Sequence, residues 1–182
     1  MRVVSGSARG RKLEAPKDFD TRPTSDMVKE AIFNIIQVKV TEARVLDLFS
    51  GTGQLGIEAL SRGAEFCVFV DKSRDSLALT MRNIKHTGFE EQSKTVSSGA
   101  LEYIERADKF DIVFLDPPYD TDLMDKTLEK IIEFDILRVH GIIVCESRAE
   151  HELPELAAPY IKSREYKYGK KKITLYKKEQ RE

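Results

Sequence analysis

Val45-Leu46-Asp47-Leu48-Phe49-Ser50-Gly51-Thr52-Gly53-Gln54-Leu55-Gly56-Ile57-Glu58-Ala59-Leu60 passes from an apolar strand, through a glycine-rich turn, into a helix. Gly51, Gly53 and Gly56 match G-x-G-x-x-G in the strand–loop–helix setting that gives this pattern its meaning. Glycines suit such a loop because it turns tightly and brings backbone close to a ligand with no Cβ between them. Asp71 closes the next apolar run, about 20 residues beyond Gly51, where a carboxylate can accept both hydroxyls of a ribose. These features alone indicate an adenosine-containing cofactor. Asp47, just ahead of the glycines, suits a cationic amino-acid moiety and opposes a pyrophosphate, which favours S-adenosylmethionine over NAD.

Strand and helix patterns alternate outward from this stretch. Strands are predicted at Ala43–Phe49, Phe66–Val70, Lys94–Ser97, Asp111–Leu115 and Gly141–Cys145. Helices are predicted at Gln54–Arg62, Ser73–His86, Leu101–Arg106 and Asp122–Phe134, with Gly63 and Gly88 ending the first two. Such alternation implies an α/β fold, a parallel sheet with helices on both faces. Upstream, Thr24 is the predicted N-cap of a helix to about Gln37, whose Met27, Val28, Ala31, Ile32, Ile35 and Ile36 repeat at helical spacing. Downstream, Lys162–Tyr168 and Lys171–Lys177 flank Gly169 as an antiparallel pair. The chain is predicted to be a single domain over residues 1–182: a basic hairpin extension at 1–20, then a cofactor-binding core at 21–182.

The run Ile112-Val113-Phe114-Leu115 ends in Asp116-Pro117-Pro118-Tyr119. An exocyclic amine on a nucleobase is a poor nucleophile because its lone pair is delocalised into the ring. Asp116 can accept one of its N–H groups and the Pro117 carbonyl the other, favouring a pyramidal nitrogen aimed at a methyl donor. Orientation and electrostatics then carry much of the rate, without strong general-base catalysis. Prolines stiffen the turn and leave carbonyls as its polar edge. Tyr119 can stack on the base, a contact worth about 1–3 kcal/mol. A base reached in this way is unpaired or flipped out.

The 182 residues are 41% hydrophobic and 34% charged, enough for a full core. No apolar run approaches the roughly 20 residues of a membrane span, and no hydrophobic stretch follows the N-terminal charges as in a signal peptide. Cys67 and Cys145 lie in apolar runs, and His86, His140 and His151 are isolated, so neither a disulfide framework nor a metal site is expected. The expected compartment is cytoplasmic. The net charge of −1 conceals an asymmetry: residues 1–17 carry +4, residues 162–182 carry +6 and the centre −11. Basic ends around an acidic centre can grip phosphates while the whole stays near neutral.

Val45–Leu60 and Leu115–Tyr119 resemble the cofactor and catalytic motifs of class I, Rossmann-like methyltransferases acting on exocyclic amines. Arg2–Gly6 (RVVSG), Gly10–Leu13 (GRKL), Thr21–Asp26 (TRPTSD), Glu30–Asn34 (EAIFN) and the closing Tyr168-Gly169 and Thr174–Tyr176 narrow this to the RsmD family, whose members methylate guanine N2 in 16S ribosomal RNA. The resemblance implies a mostly parallel, seven-stranded sheet with an antiparallel C-terminal pair and a small N-terminal hairpin. It places Arg22 and Thr24 beside the cofactor, and Asp47, Gly51, Gly53 and Asp71 on it. Thr52, Lys72 and the Ser98-Gly99-Ala100 turn are further candidates there. Asp116, Pro117 and Tyr119 handle the guanine, and Arg9, Arg11 and Lys12 help hold RNA. The implied partner is small-subunit ribosomal RNA or a partly assembled subunit, acted on by a monomer without metal. Relatives usually carry an acid or amide ahead of Ala100 against the adenine amine; backbone groups or Ser98 are the expected substitutes here, with somewhat weaker cofactor binding. A DNA adenine-N6 methyltransferase also uses this turn but generally carries a separate target-recognition region. A protein-glutamine methyltransferase favours Asn at Asp116, and a silent RNA-binding assembly factor has no need of the intact site.

Overall fold

A computed structural model describes residues 1–16 and 25–180. Seven strands form one sheet in the order β3-β2-β1-β4-β5-β7-β6. They are β1 (Arg44–Asp47), β2 (Phe66–Asp71), β3 (Ser93–Ser97), β4 (Phe110–Leu115), β5 (Leu137–Arg148), β6 (Tyr160–Tyr168) and β7 (Lys171–Lys178). The first five run parallel, and β7 is antiparallel to both β5 and β6. Helices α1 (Asp26–Val40), α2 (Gln54–Ser61), α3 (Arg74–Thr87), α4 (Ala100–Ile104) and α5 (Leu123–Phe134) connect them.

The central strands are apolar on both sides because both faces are covered. On one face Val45, Phe69, Ile112, Phe114 and Val144 pack against α1, α2, α3 and the N-terminal Val3, Ala8 and Leu13. On the other, Leu46, Val68, Val113, Leu115 and Ile143 pack against α4 and α5. Strand order reverses between β1 and β4, so the loops after these strands meet at the switch point where such sheets bind ligands.

Several boundaries differ from the sequence reading: β1 is shorter at both ends, α4 starts and ends earlier, β5 begins at Leu137, and two further differences bear on the site. Helix α1 is capped by Ser25, whose Oγ accepts from the Val28 N–H at 3.3 Å, and it continues to Val40 because Ile36 and Val40 prolong its buried stripe. Thr24 lies outside the described residues. Strand β5 extends three residues past Cys145, through Glu146 and Ser147 to Arg148, because the antiparallel β7 pairs with it along that length.

The N-terminal segment closes on itself through one antiparallel bridge, Arg2 with Lys12, and not through a regular strand pair. It is held to α2 by a buried charge network. Glu58, fully buried, accepts from the backbone N–H groups of Val4 and Ser5 at 2.8 and 2.9 Å and from Arg62 at 2.9 Å. Lys29, also fully buried, lies 3.5 Å from Glu58 and donates to the Arg2 carbonyl. Burial holds the Lys29 ammonium below its usual pKa, and Glu58 opposes that shift. At Gly6, with φ of +85°, a Cβ would overlap the Ser61 carbonyl, so only glycine allows this approach. Replacing Glu58 with Ala strands the Lys29 charge and two backbone donors, and should cost about 3–5 kcal/mol. Urea unfolding monitored by circular dichroism measures this loss.

Candidate active site

The loop after β1 has its three glycines in different roles. Gly51, with φ of +54°, faces open space: a Cβ there would meet nothing within 4 Å. Gly53 and Gly56 instead face inward, where a Cβ would come within 2.9 Å of Thr80 and 2.3 Å of Phe69 respectively. Gly51 therefore borders the ligand space, while Gly53 and Gly56 let α2 and the loop pack on β2. The Ser50 hydroxyl, buried at the head of this loop, has no hydrogen-bond partner among the described residues. An open cradle beside an orphaned polar atom fits a bound nucleotide cofactor.

Asp71, at the end of β2, accepts from the Gly51 N–H at 3.0 Å and the Ser73 N–H at 2.8 Å, one with each oxygen. Each oxygen retains a lone pair for a ribose hydroxyl. Helix α3 supplies two supports that the sequence reading missed. The Thr80 hydroxyl donates to the Gly51 carbonyl at 2.8 Å, and the Asn83 amide donates to the Thr52 carbonyl at 2.9 Å. Asn83 also bonds both backbone groups of Glu14, joining the loop to the N-terminal segment. Their signal was two polar residues on the buried stripe of an amphipathic helix.

The acids at the ends of the strands share one low-dielectric space. Asp47 is buried with one oxygen accepting from the Gly56 N–H at 3.1 Å. Burial pushes its carboxyl up to about 7, against that hydrogen bond and with help from Asp71. Asp116 is held well above the usual carboxylate range, first by burial and then by Glu146, with Asp47 adding to it and Lys171 opposing. Asp116 and Glu146 are neighbours because β4 and β5 pair in register up to Leu115 and Cys145. Glu146 has Lys171 as its countercharge, whereas Asp47 and Asp116 form no ion pair among the described residues, and a cationic ligand would supply one. The anionic pyrophosphate of a dinucleotide would aggravate the repulsion.

Tyr119 is 38% exposed; its hydroxyl donates to Glu146 at 3.2 Å, and the Arg148 guanidinium lies 5.4 Å from its ring centre. Thr52 points its hydroxyl at the Met1 sulfur, and Lys72 is exposed at the mouth of β2. The Ser98 hydroxyl donates to the Gly99 carbonyl at 3.1 Å. It is Glu102, from the first turn of α4, whose carboxylate reaches over Gly99, 3.5 Å from where a Cβ would stand. Ala100 begins that helix. Arg9, Arg11 and Lys12 are exposed on the N-terminal turn, and Arg11 donates to the His86 carbonyl at 2.8 Å. Arg22, like Thr24, lies outside the described residues. No described group of three or more His, Cys, Asp or Glu is arranged to hold a metal. No described helix is long and apolar enough to cross a membrane.

Known proteins resemble this chain along nearly its whole length. The family described as Conserved hypothetical protein 95 matches residues 1–177. YlbH of Bacillus subtilis (strain 168), provisionally named an rRNA methyltransferase, is 41% identical over 98% of this chain and 99% of its own. Ribosomal RNA small subunit methyltransferase D of Escherichia coli (strain K12) is 32% identical over 98% and 90%. The solved structure of yhhF from Escherichia coli, provisionally titled a methyltransferase, is 31% identical and superposes with a TM-score of 0.90 over 98% of each chain.

The glycines separate by substitution. Gly56→Ala should destabilise the fold by about 1–3 kcal/mol through overpacking against Phe69. Gly51→Ala should cost about 1–2 kcal/mol of backbone strain yet weaken adenosine-ligand binding by a larger factor than Gly56→Ala does among folded molecules. Thermal unfolding and calorimetric titration with S-adenosylhomocysteine read the two effects.

Proposed function

The chain belongs to the family described as Conserved hypothetical protein 95, the RsmD family, and from that membership we propose that it is an S-adenosylmethionine-dependent methyltransferase of small-subunit ribosomal RNA, acting on the N2 amine of a guanine. The observation that carries this reading is the placement of Asp116-Pro117 at the switch point, beside a glycine cradle and the buried carboxyl of Asp47.

Bound S-adenosylmethionine supplies an electrophilic methyl group on a sulfonium centre. Asp71 would hold its ribose, the Gly51 backbone its adenosine side and Asp47 its ammonium. Glu102, together with backbone at Ser98, Gly99 and Ala100, would border the adenine. Asp116 and the Pro117 carbonyl would take the two N–H groups of the guanine amine, with Tyr119 against the base. The cofactor's positive charge would add to that of Lys171 and favour ionised Asp116, the form whose two oxygens both accept. Once methylated, the cationic amine loses its proton readily, so no dedicated strong base is required. Arg9, Arg11 and Lys12, clamped in place through Glu58, would meet RNA phosphates. The acting species is a monomer, and its acceptor is the RNA or a partly assembled subunit. A DNA adenine acceptor is disfavoured because every described element belongs to the one sheet and its covering helices, with no separate target-recognition unit.

Tritiated cofactor offered separately with small-subunit RNA, small subunits and duplex DNA tests the proposal. Label recovered as N2-methylguanosine from a ribosomal acceptor is the expected result. Label in N6-methyladenine from DNA would overturn it. Asp116→Ala should lower turnover at least about 100-fold while changing cofactor affinity by only a few-fold.

The Asp47 carboxyl gives a pH dependence whose sign follows from its shift. Near pH 7 about half of the free protein carries a proton on Asp47, and an incoming ammonium favours the carboxylate. Binding therefore releases a proton, and affinity rises as pH increases through about 7. Calorimetry in buffers of different ionisation enthalpy measures the release, which Asp47→Asn should reduce, leaving the share that comes from Asp116. Glu102→Ala should weaken cofactor binding more than Ser98→Ala, as calorimetric titration with S-adenosylhomocysteine measures.

A further inference from the structure

The end of β5 carries a charged constellation that neither the glycine loop nor the Asp116 turn accounts for. Glu146 is 2% exposed and stands one residue past the Leu115–Cys145 pair, beside Asp116. It accepts from the Tyr119 hydroxyl and forms an ion pair with Lys171 of β7. The Lys171 side chain keeps 19% of its surface exposed. Arg148, two residues along β5, pairs with Asp120 at 2.7 Å. Glu146, Arg148, Pro117, Pro118 and Tyr119 together line a cleft of about 290 Å³ that opens directly onto the Asp116 turn.

Burying a carboxylate is unfavourable even when it is paired, and this one is buried on the wall of a cleft. The strand order β4-β5-β7 sets Asp116, Glu146 and Lys171 side by side as acceptor, acceptor and donor. The Watson–Crick edge of guanine presents N2–H₂, N1–H and O6 in the complementary order: donor, donor, acceptor. We propose that Glu146 and Lys171 read this edge, Glu146 accepting the N1–H and Lys171 donating to O6, while Asp116 and Pro117 hold the amine. The inference rests on the guanine-N2 reading above and names the residues that select the base. Lys171 has three N–H groups, so it donates to O6 while staying paired with Glu146. Adenine turns a lone pair at N1 towards the carboxylate and has no O6, leaving both charged groups unmatched. Sites built on such hydrogen bonds reject the analogue that lacks them far more strongly than apolar pockets do.

The test uses acceptor RNA carrying, at the methylated position, either guanine or 2-aminopurine, which keeps the amine but lacks N1–H and O6. Wild-type protein should prefer guanine by at least about 100-fold in kcat/KM. Glu146→Gln, whose amide can donate to the N1 lone pair of 2-aminopurine, should shrink that preference to below about 10-fold. Lys171→Met should lower kcat/KM for guanine and leave 2-aminopurine little changed. S-adenosylhomocysteine affinity reports whether each variant is folded. Should Glu146→Gln fail to fold, the double variant E146Q/K171M, which removes both charges together, carries the same comparison. Equal losses on both bases, with the preference intact, would overturn the inference and leave the pair a structural role. Absence of N2 labelling by wild-type protein on any ribosomal acceptor would overturn the proposed function as well, so the two failures are distinguishable.

Discussion

The parallel, in-register pairing of β1, β4 and β5 is the constraint on which the site depends. Val45 pairs with Ile112, Asp47 with Phe114 and Leu115 with Cys145, so three strands end at nearly the same level. Residues paired across a sheet share a face, and side chains alternate along each strand. Asp47, Asp116 and Glu146 consequently emerge on the face covered by α1, α2 and α3, with apolar residues beneath them. A one-residue slip of β4 against β1 would turn Asp116 to the α4–α5 side and bury a carboxylate among leucines. The cost of that error is what makes the register, and hence the site, unambiguous.

Electrostatics follow from this geometry. Acids that could each be solvated alone are brought into a space where burial and mutual repulsion raise the carboxyl pKa of both Asp47 and Asp116. The free protein thus carries an unmet demand for positive charge, which a sulfonium and an ammonium would satisfy. The acidic centre of the sequence contributes to this demand, and from the basic C-terminal end Lys171 reaches into it to pair with Glu146. Near-neutral net charge accordingly coexists with two opposite local fields, one suited to a cationic cofactor and the other to RNA phosphates.

The N-terminal segment becomes part of the core by a different device. Two of its backbone N–H groups and one carbonyl are satisfied by Glu58 and Lys29, charges with no contact to solvent. The same helix that receives the glycine loop therefore also anchors the exposed arginines. Asn83 ties Thr52 and Glu14 together at the other end of the segment. The cofactor cradle and the proposed RNA grip are one mechanical unit, so strain introduced in either is felt in the other.

Sequence alone determined the α/β class, the glycine cradle, Asp71 and the Asp116 turn, because each is encoded by neighbours: an apolar run, a turn chemistry and an acid at a set remove. It also located the antiparallel tail from the two strands around Gly169. What only tertiary structure decided depends on strands far apart in the chain. Glu146 and Lys171 are 25 residues apart and meet because β7 inserts antiparallel beside β5, which also lengthens β5 past Cys145. The buried Lys29–Glu58 pair reads locally as two solvated charges on helices, and only the docking of the N-terminal segment removes their water. Glu102 over Gly99, by contrast, is a local i to i+3 relation across the first turn of α4. Local pattern specifies elements and the residues at their ends; which of those ends face one another is set by strand order and register, through long-range burial that no short window of sequence contains.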